Sequence, residues 1–174
     1  MTHKIVTNSS ISISNGDGVQ GEAMLEVTGL VQHPRVFAFR DLVSLPGQVP
    51  DIAAIFPKRS GGAIRLDALL AAAGLRSGAS HLTLESTDGK FSASVPLDAV
   101  APRGIVVYRE GDVPLPEDKG GPVRFLIQDV ESCGLAEVDL CANVKFLGRI
   151  VVTGTPGRDT RPTTQKQHEA LHQH

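Results

Sequence analysis

The sequence lacks an excess of basic residues. Its 174 residues include 17 Lys and Arg against 19 Asp and Glu, a formal net charge of −2. Non-specific binding to nucleic acid or to a membrane surface needs a basic excess, so we expect neither partner. No apolar run approaches the about 20 residues of a membrane-spanning helix, and the N-terminus lacks the basic-then-apolar layout of an export signal. These absences predict a cytoplasmic protein.

Cysteine is scarce and the common catalytic motifs are missing. The two cysteines, Cys133 and Cys141, fit a reducing compartment better than a disulfide framework. Gly-x-Ser-x-Gly, the phosphate-binding P-loop and Gly-x-Gly-x-x-Gly are all absent, which leaves nucleophile-elbow hydrolases and nucleotide-binding proteins without support.

One metal motif is present in the C-terminal tail. His168-Glu-Ala-Leu-His172 matches the zinc-protease pattern, but only two residues follow it and a Pro/Gly/Thr linker precedes it. We interpret the match as chance in a Gln/His-rich tail, where His168, His172 and His174 would bind metal only adventitiously.

Composition divides the chain into a core and two ends. With 41% hydrophobic residues, the chain is long enough for one buried core and too short for two ordinary domains. Residues 1–20 contain Asn-Ser-Ser and Asn-Gly-Asp-Gly and are expected to be a flexible N-terminal segment. Residues 21–153 are the predicted domain, and 154–174 are a polar C-terminal tail.

Within residues 21–153 the patterns mainly predict strands. Period-two alternation, bounded by Gly, Pro and Asp, indicates about eight of them. Leu66 to Gly74 predicts one helix, because Leu66, Leu69 and Leu70 share a face and a glycine follows as the cap. Shorter helices are expected near Arg40 and Leu97. Asp88-Gly89 predicts a two-residue hairpin turn. The fold class is therefore α+β: mostly β mixed sheets with a barrel-like core and few helices.

Two runs carry residues suited to binding an anion. Lys119-Gly-Gly-Pro-Val-Arg124 places two glycines between two cations, directly before a predicted strand. Cys141-Ala-Asn-Val-Lys145 would place a thiol, a carboxamide and a cation on one face of the last strand. An ordinary turn and a small buried cysteine beside a solvated lysine are the simpler interpretations of these runs taken singly.

The order of several runs carries a family resemblance. Leu-Glu-Val-Thr-Gly-Leu-Val, Leu-Asp-Ala-Leu-Leu, Glu-Ser-Thr-Asp-Gly, Gly-Gly-Pro-Val-Arg-Phe-Leu and Asn-Val-Lys-Phe-Leu-Gly-Arg-Ile follow one another over about residues 24–152. Together they resemble the molybdopterin-binding domain of the sulfite oxidase family, whose fold is mixed and largely β.

The resemblance implies a site for molybdopterin, a pterin that carries a dithiolene and a phosphate monoester. Arg124 and Lys145 match the arginine and lysine of the family's last two motifs and are the best candidates for holding the cofactor. Asn143 and the backbone groups of Gly120 and Gly121 are second choices for hydrogen bonds to the pterin edge.

The sequence departs from the family at the metal ligand. Catalytic members carry a molybdenum-ligating cysteine ahead of the helix that corresponds to Leu66–Gly74, and residues 49–62 contain none. Asp51 and Ser60 are hard oxygen ligands and poor replacements for a thiolate. Lys58 and Arg59 remain in this region as candidate anion contacts. Three alternatives stay open: the metal is held without a protein thiolate, a thiolate comes from Cys133 or Cys141, or no molybdenum is bound. Cys141 is the candidate metal ligand.

Three functions therefore remain. The first is a small molybdenum-cofactor oxidoreductase, with a separate heme or flavin protein as its electron partner. The second is a non-catalytic module or subunit that binds a pterin or another phosphate ligand. The third is a partner-binding domain that keeps only the fold. We also expect a homodimer.

Overall fold

The computed structural model describes residues 22–129 and 142–161. Mixed sheets with few helices make up these residues, which confirms the predicted fold class. The strands are β1 Ala23–Gly29, β2 Arg35–Ala38, β3 Gln48–Val49, β4 Gly62–Arg65, β5 His81–Ser86, β6 Ser92–Pro96, β7 Gly104–Glu110, β8 Val113–Pro114, β9 Arg124–Ile127 and β10 Leu147–Thr153. The helices are α1 Phe39–Ser44, α2 Leu66–Ala73 and α3 Leu97–Val100, and two 3-10 turns are η1 Ile52–Ala54 and η2 Glu117–Lys119.

The first sheet has the order β2-β1-β10-β5-β6. Strands β1 and β10 run parallel, with Val27 opposite Ile150, and the other neighbours in this sheet are antiparallel. The parallel pair joins the start of the domain to its end. Residues 157–161 then lie along the outer side of β6, where Thr160 N–H donates to Ser92 O at 2.8 Å. The predicted domain boundary at residue 153 stays a prediction.

The second sheet has the order β3-β4-β7-β8, and β9 also pairs with β7. Residues of β7 alternate between two hydrophobic clusters: Val106 and Tyr108 face the larger one, and Ile105 and Val107 face the smaller one. The larger cluster also takes side chains from the first sheet and from all three helices, so it is the main core. The smaller cluster covers the outer face of the second sheet, and the candidate site lies on this face.

The helix predicted at Leu66–Gly74 is confirmed as α2. Leu66, Leu69 and Leu70 are all buried, and Gly74 ends the helix with a φ of 73°. This positive φ favours glycine, which has no Cβ to clash with the backbone. Helices α1 and α3 confirm the shorter helices expected near Arg40 and Leu97. Among the described residues, no helix is long and apolar enough to cross a membrane.

The predicted two-residue hairpin turn was wrong. A bond from Ser86 N–H to Phe91 O closes a four-residue loop between β5 and β6, and of Asp88 and Gly89 only the glycine has a positive φ. The Asp88 carboxylate instead accepts from the Ser86 hydroxyl at 2.6 Å and from Lys90 N–H at 2.9 Å. These hydrogen bonds hold the pKa of Asp88 below its ordinary value. Such a side-chain turn competes with the tighter hairpin.

The start of the last strand was also predicted wrongly. Asn143 and Lys145 precede β10, which begins at Leu147, and Phe146 has a φ of 55°. Val144 exchanges both backbone hydrogen bonds with Phe125 of β9. The left-handed Phe146 separates this pairing from β10. Before it, burial still alternates: Ala142 and Val144 are buried, whereas Asn143 and Lys145 are not, as expected for two residues that share a face. The third residue of the predicted face, Cys141, lies outside the described residues.

Candidate functional site

A cleft of about 380 Å³ lies on the outer face of the second sheet. Side chains of the smaller hydrophobic cluster line its apolar part: Ile52, Val107, Leu115 and Leu126. Its polar lining consists of Lys58, Arg59, Ser60, Asp118, Lys119 and Arg124. We call this the cationic cleft, since four cations there face one acidic lining residue. Such a charge excess attracts anions.

Arg124 is the most unusual charge in the cleft. Its side chain enters from the start of β9, and one terminal nitrogen donates to Lys119 O at 3.2 Å. Its Nε is buried and has no hydrogen-bond partner. Burial, and then the nearby charge of Arg59, lower the pKa of Arg124 below its ordinary value. A guanidinium with a buried free donor and a cationic neighbour is suited to receive an anionic ligand.

Lys58 and Arg59 come from a loop that the sequence shapes locally. The Asp51 carboxylate accepts from Ala53 N–H at 2.9 Å and caps η1, and Ile52 N–H donates to Gly61 O at 2.8 Å to close the loop. Asp51 therefore has a structural use, and the loop brings two exposed cations to the rim of the cleft. The structure thus brings three predicted residues together: Lys58, Arg59 and Arg124.

Gly120 lies between Arg124 and Lys145. A Cβ at Gly120 would lie 3.2 Å from Arg124 Cδ and 3.2 Å from Lys145 Cγ, and the residue has a φ of 88°. The glycine therefore allows both long side chains to pass close to the backbone. The N–H groups of Gly120 and Gly121 donate to Glu117 O and Pro116 O, each at 2.9 Å. These two donors are used within the protein, and the predicted pterin contacts of the glycines stay a prediction.

Lys145 and Asn143 lie next to the cleft and do not line it. Lys145 is exposed beside Gly120, and the following residue, Phe146, donates its N–H to Gly120 O at 2.8 Å. Asn143 accepts a hydrogen bond from Ile127 N–H at 2.8 Å through its side-chain oxygen. Lys145 can therefore reach a ligand at the Gly120 side, while Asn143 holds the end of β9.

Lys119 lines the cleft, although the sequence analysis did not give it as a cofactor contact. Its ammonium pairs with the Glu110 carboxylate and donates to Ser60 Oγ at 3.2 Å. The signal was its position directly before the two glycines of the anion-binding run. The ion pair could not be predicted from the sequence, because Glu110 lies nine residues before Lys119 and the two meet only when η2 lies near the end of β7.

A metal centre is not formed by the described residues, which contain no group of three or more His, Cys, Asp or Glu able to hold a metal ion. The candidate ligand Cys141, together with Cys133 and the three tail histidines, lies outside them. A larger cavity of about 830 Å³ shares Leu115 with the cationic cleft. Phe39, Phe146, Met24 and Pro122 contribute to its lining.

Comparisons with known proteins identify the family and the fold of the chain. The model of the oxidoreductase molybdopterin binding domain family matches residues 61–160, more than half of the chain. The solved structure of the sulfane dehydrogenase SoxCD from Paracoccus pantotrophus is similar in fold, with a TM-score of 0.60 and 19% sequence identity. The similarity covers 81% of this chain and 40% of that chain. No curated protein is significantly similar in sequence. The match over residues 61–160 shows that this chain belongs to the oxidoreductase molybdopterin-binding domain family.

Proposed function

We propose that the chain binds a molybdenum cofactor with the phosphate of its molybdopterin in the cationic cleft, and that it acts as a small molybdenum-dependent oxidoreductase. The proposal rests on one observation: the Nε of Arg124 is buried without a hydrogen-bond partner, and Arg59 adds a second positive charge nearby. Two guanidinium groups provide planar, charge-assisted donors for phosphate oxygens.

The charges of the cleft fit such a ligand. Lys58, Arg59, Lys119 and Arg124 contribute four positive charges, and Asp118 together with the Glu110 paired to Lys119 contributes two negative ones. The remainder of two positive charges matches the charge of about −1.5 to −2 on a phosphate monoester at neutral pH. The donor set therefore fits the phosphate end of molybdopterin.

Lys145 is the second anchor that we propose. Its side chain lies close to the same side of Gly120 as that of Arg124 and is exposed, and it forms none of the ion pairs among the described residues, so its ammonium is available to a ligand. Asn143, Gly120 and Gly121 would support this edge of the site, mainly by holding the backbone in place.

The metal needs a ligand from elsewhere. The described residues contain no cysteine, so we propose the Cys141 thiolate, which directly precedes the buried Ala142. When bound, the metal would supply oxygen-atom or electron transfer, and the protein would supply binding and orientation. A small oxidised or anionic substrate and a separate electron-transfer protein complete the proposal.

Molybdenum and pterin analysis of protein made in a host that synthesises the cofactor tests this function. We expect about one pterin and one molybdenum per chain. A Lys145→Ala variant should retain clearly less pterin than the wild type, while the cofactor-free forms of the two proteins should unfold at the same urea concentration. Wild-type protein with neither molybdenum nor pterin would refute the proposed function, and full occupancy of Lys145→Ala would refute the anchoring role of Lys145.

The proposed metal ligand has its own test. Cys141→Ser should change the metal absorption bands and leave the pterin content unchanged, because the phosphate contacts remain. Cys133→Ser is the matched control, since it also removes one thiol. Unchanged absorption bands in Cys141→Ser would exclude the thiolate bond.

A further inference from the structure

We infer that Glu110 is a positioning residue of the cationic cleft: it holds Lys119 against Ser60 and thereby keeps the loop that carries Lys58 and Arg59 closed over the site. The inference rests on the proposed function, because it assigns a role toward the ligand of the same cleft. Glu110 itself is not among the residues that line the cleft.

One ammonium group connects three segments here. Glu110 is the last residue of β7, Lys119 is the last residue of η2, and Ser60 belongs to the loop between η1 and β4. Lys119 pairs with the Glu110 carboxylate and donates to Ser60 Oγ. The Glu110 and Lys119 side chains are about two-fifths exposed, at 37% and 40%. The pair is therefore accessible and can open without unfolding the sheet.

The two flanks of the loop are held independently of this contact, because Ile52 N–H donates to Gly61 O and Ile52, Ile55 and Phe56 pack in the smaller hydrophobic cluster. The exposed part that carries Lys58 and Arg59 has only local hydrogen bonds besides it. Ile55 and Phe56 donate to Ile52 O, and Arg59 donates to Phe56 O. The Lys119 bond instead ties Ser60 to a different part of the chain. Residues 57–60 are exposed and have no other long-range hydrogen bond among the described interactions, and such segments open at low free-energy cost. The tether therefore limits how far residues 58–60 can move.

Repulsion makes the tether necessary. Arg59 is close enough to Arg124 to lower its pKa, and Lys58 adds another positive charge on the same loop. In the absence of a ligand these charges favour an open loop. Glu110 opposes the opening because it is the counter-ion of Lys119 and orients the ammonium toward Ser60.

Positioning and simple charge attraction predict opposite effects of Glu110→Gln. If Glu110 only reduces the positive potential, its neutralisation should strengthen phosphate binding. If it positions Lys119 and the loop, neutralisation should weaken phosphate binding although a negative charge has been removed. Glu117→Gln is the matched control, because Glu117 lies in the same turn as Lys119 and contacts the ammonium in none of the described interactions.

The experiment has two readouts on the full-length chain. Amide hydrogen exchange of Arg59 is measured without ligand, and the NMR signal of the Arg124 Nε–H is followed during titration with inorganic phosphate at low ionic strength. An exposed ion pair contributes up to roughly 1 kcal/mol, so we expect about two- to five-fold faster exchange and about two- to five-fold weaker phosphate binding in Glu110→Gln. Glu117→Gln should leave exchange unchanged and bind phosphate at least as tightly as the wild type.

The outcomes separate the two proposals. Unchanged exchange in Glu110→Gln, or phosphate binding as tight as in Glu117→Gln, would overturn the positioning role. A wild-type Arg124 signal that does not respond to phosphate would instead contradict the proposed anion site. Exchange in the ligand-free protein would still decide whether Glu110 holds the loop.

Discussion

Arg124 is a residue that we expect to serve ligand binding more than the stability of the fold. Its charged form is disfavoured by burial and by Arg59, so the guanidinium contributes little to folding at neutral pH. We predict that Arg124→Met, which keeps much of the side-chain length, leaves the free energy of unfolding within about 0.5 kcal/mol of the wild type or raises it. Urea unfolding measures this. A loss of several kcal/mol would mean that Arg124 is a structural residue.

The sequence predicted part of the residue-level site. Arg124 was predicted from the glycine-containing run before a strand and from the family resemblance, and Lys58 and Arg59 from their charge in the region where the family carries its cysteine. The structure brings these three residues to one cleft. The bond from Ile127 N–H to Asn143 was not predictable, because it depends on the path of residues 142–147 beside β9. A charged side chain can be read from the sequence, whereas the partner of a hydrogen-bond donor depends on the fold.

Residues 157–161 belong to the segment that the sequence predicted as a polar tail, but in the structure they lie along β6. The Asp159 carboxylate accepts a hydrogen bond from Ser94 N–H of β6, and a terminal nitrogen of Arg161 donates to Ser94 O at 2.9 Å. Burial alone would raise the pKa of Asp159, but the hydrogen bonds from Arg161 and Ser94 outweigh it and lower the pKa below its ordinary value of 3.8. The segment thus covers the edge of β6, which would otherwise present unpaired groups.

This arrangement predicts a pH-dependent contribution to stability. Because the pKa of Asp159 is lower in the folded chain, its contribution is present above about pH 3.8 and is lost as the pH falls through the folded value. Asp159→Asn should therefore be less stable than the wild type at pH 7, and the difference should shrink toward pH 3. Urea unfolding at both pH values checks this, with the exposed Asp98→Asn as control. An equal difference at both values would contradict the carboxylate's role.

The close packing between α2 and the second sheet predicts that a larger residue at Gly104 lowers stability. A Cβ at Gly104 would lie 2.6 Å from Leu66 Cδ2 and 2.9 Å from Phe125 Cε2. Overpacking of a core costs about 1–3 kcal/mol, so Gly104→Ala should lower the free energy of unfolding by that amount. Ser77→Ala, at an exposed position, is the control. Equal denaturation midpoints for the two variants would show that this core is less tightly packed than the distances indicate.

The longer helix α2 and the short helices α1 and α3 were predicted correctly, but not every short strand was. The leucine spacing identified α2, because a helix of two turns repeats its apolar positions. Strand β4 cannot be predicted from alternation, because its four residues, Gly-Ala-Ile-Arg, are too few to show it and begin with a glycine. Its pairing with β7 at Ile64 and Val106 is a long-range contact that local sequence does not encode.

The whole molecule places its candidate site outside the main core. The larger hydrophobic cluster joins both sheets, while the cationic cleft lies over the smaller cluster on the outer face of the second sheet. Loops at this face can therefore carry charge without disturbing the core. The chain spans 40% of the SoxCD chain to which it is similar. Its electron partner and its assembly as a homodimer are accordingly proposals.

We propose above all that Arg124 in the cationic cleft holds the phosphate of a molybdopterin. The most direct measurement is the pterin content per chain of wild type, Arg124→Met and Arg76→Met, each purified from a host that makes the cofactor; Arg76 is exposed and does not line the cleft. We predict about one pterin per chain in the wild type and in Arg76→Met, and a loss of at least about ten-fold in Arg124→Met, in line with a charge-assisted contact of roughly 1.5–3 kcal/mol. Equal pterin content in the three proteins would contradict the claim.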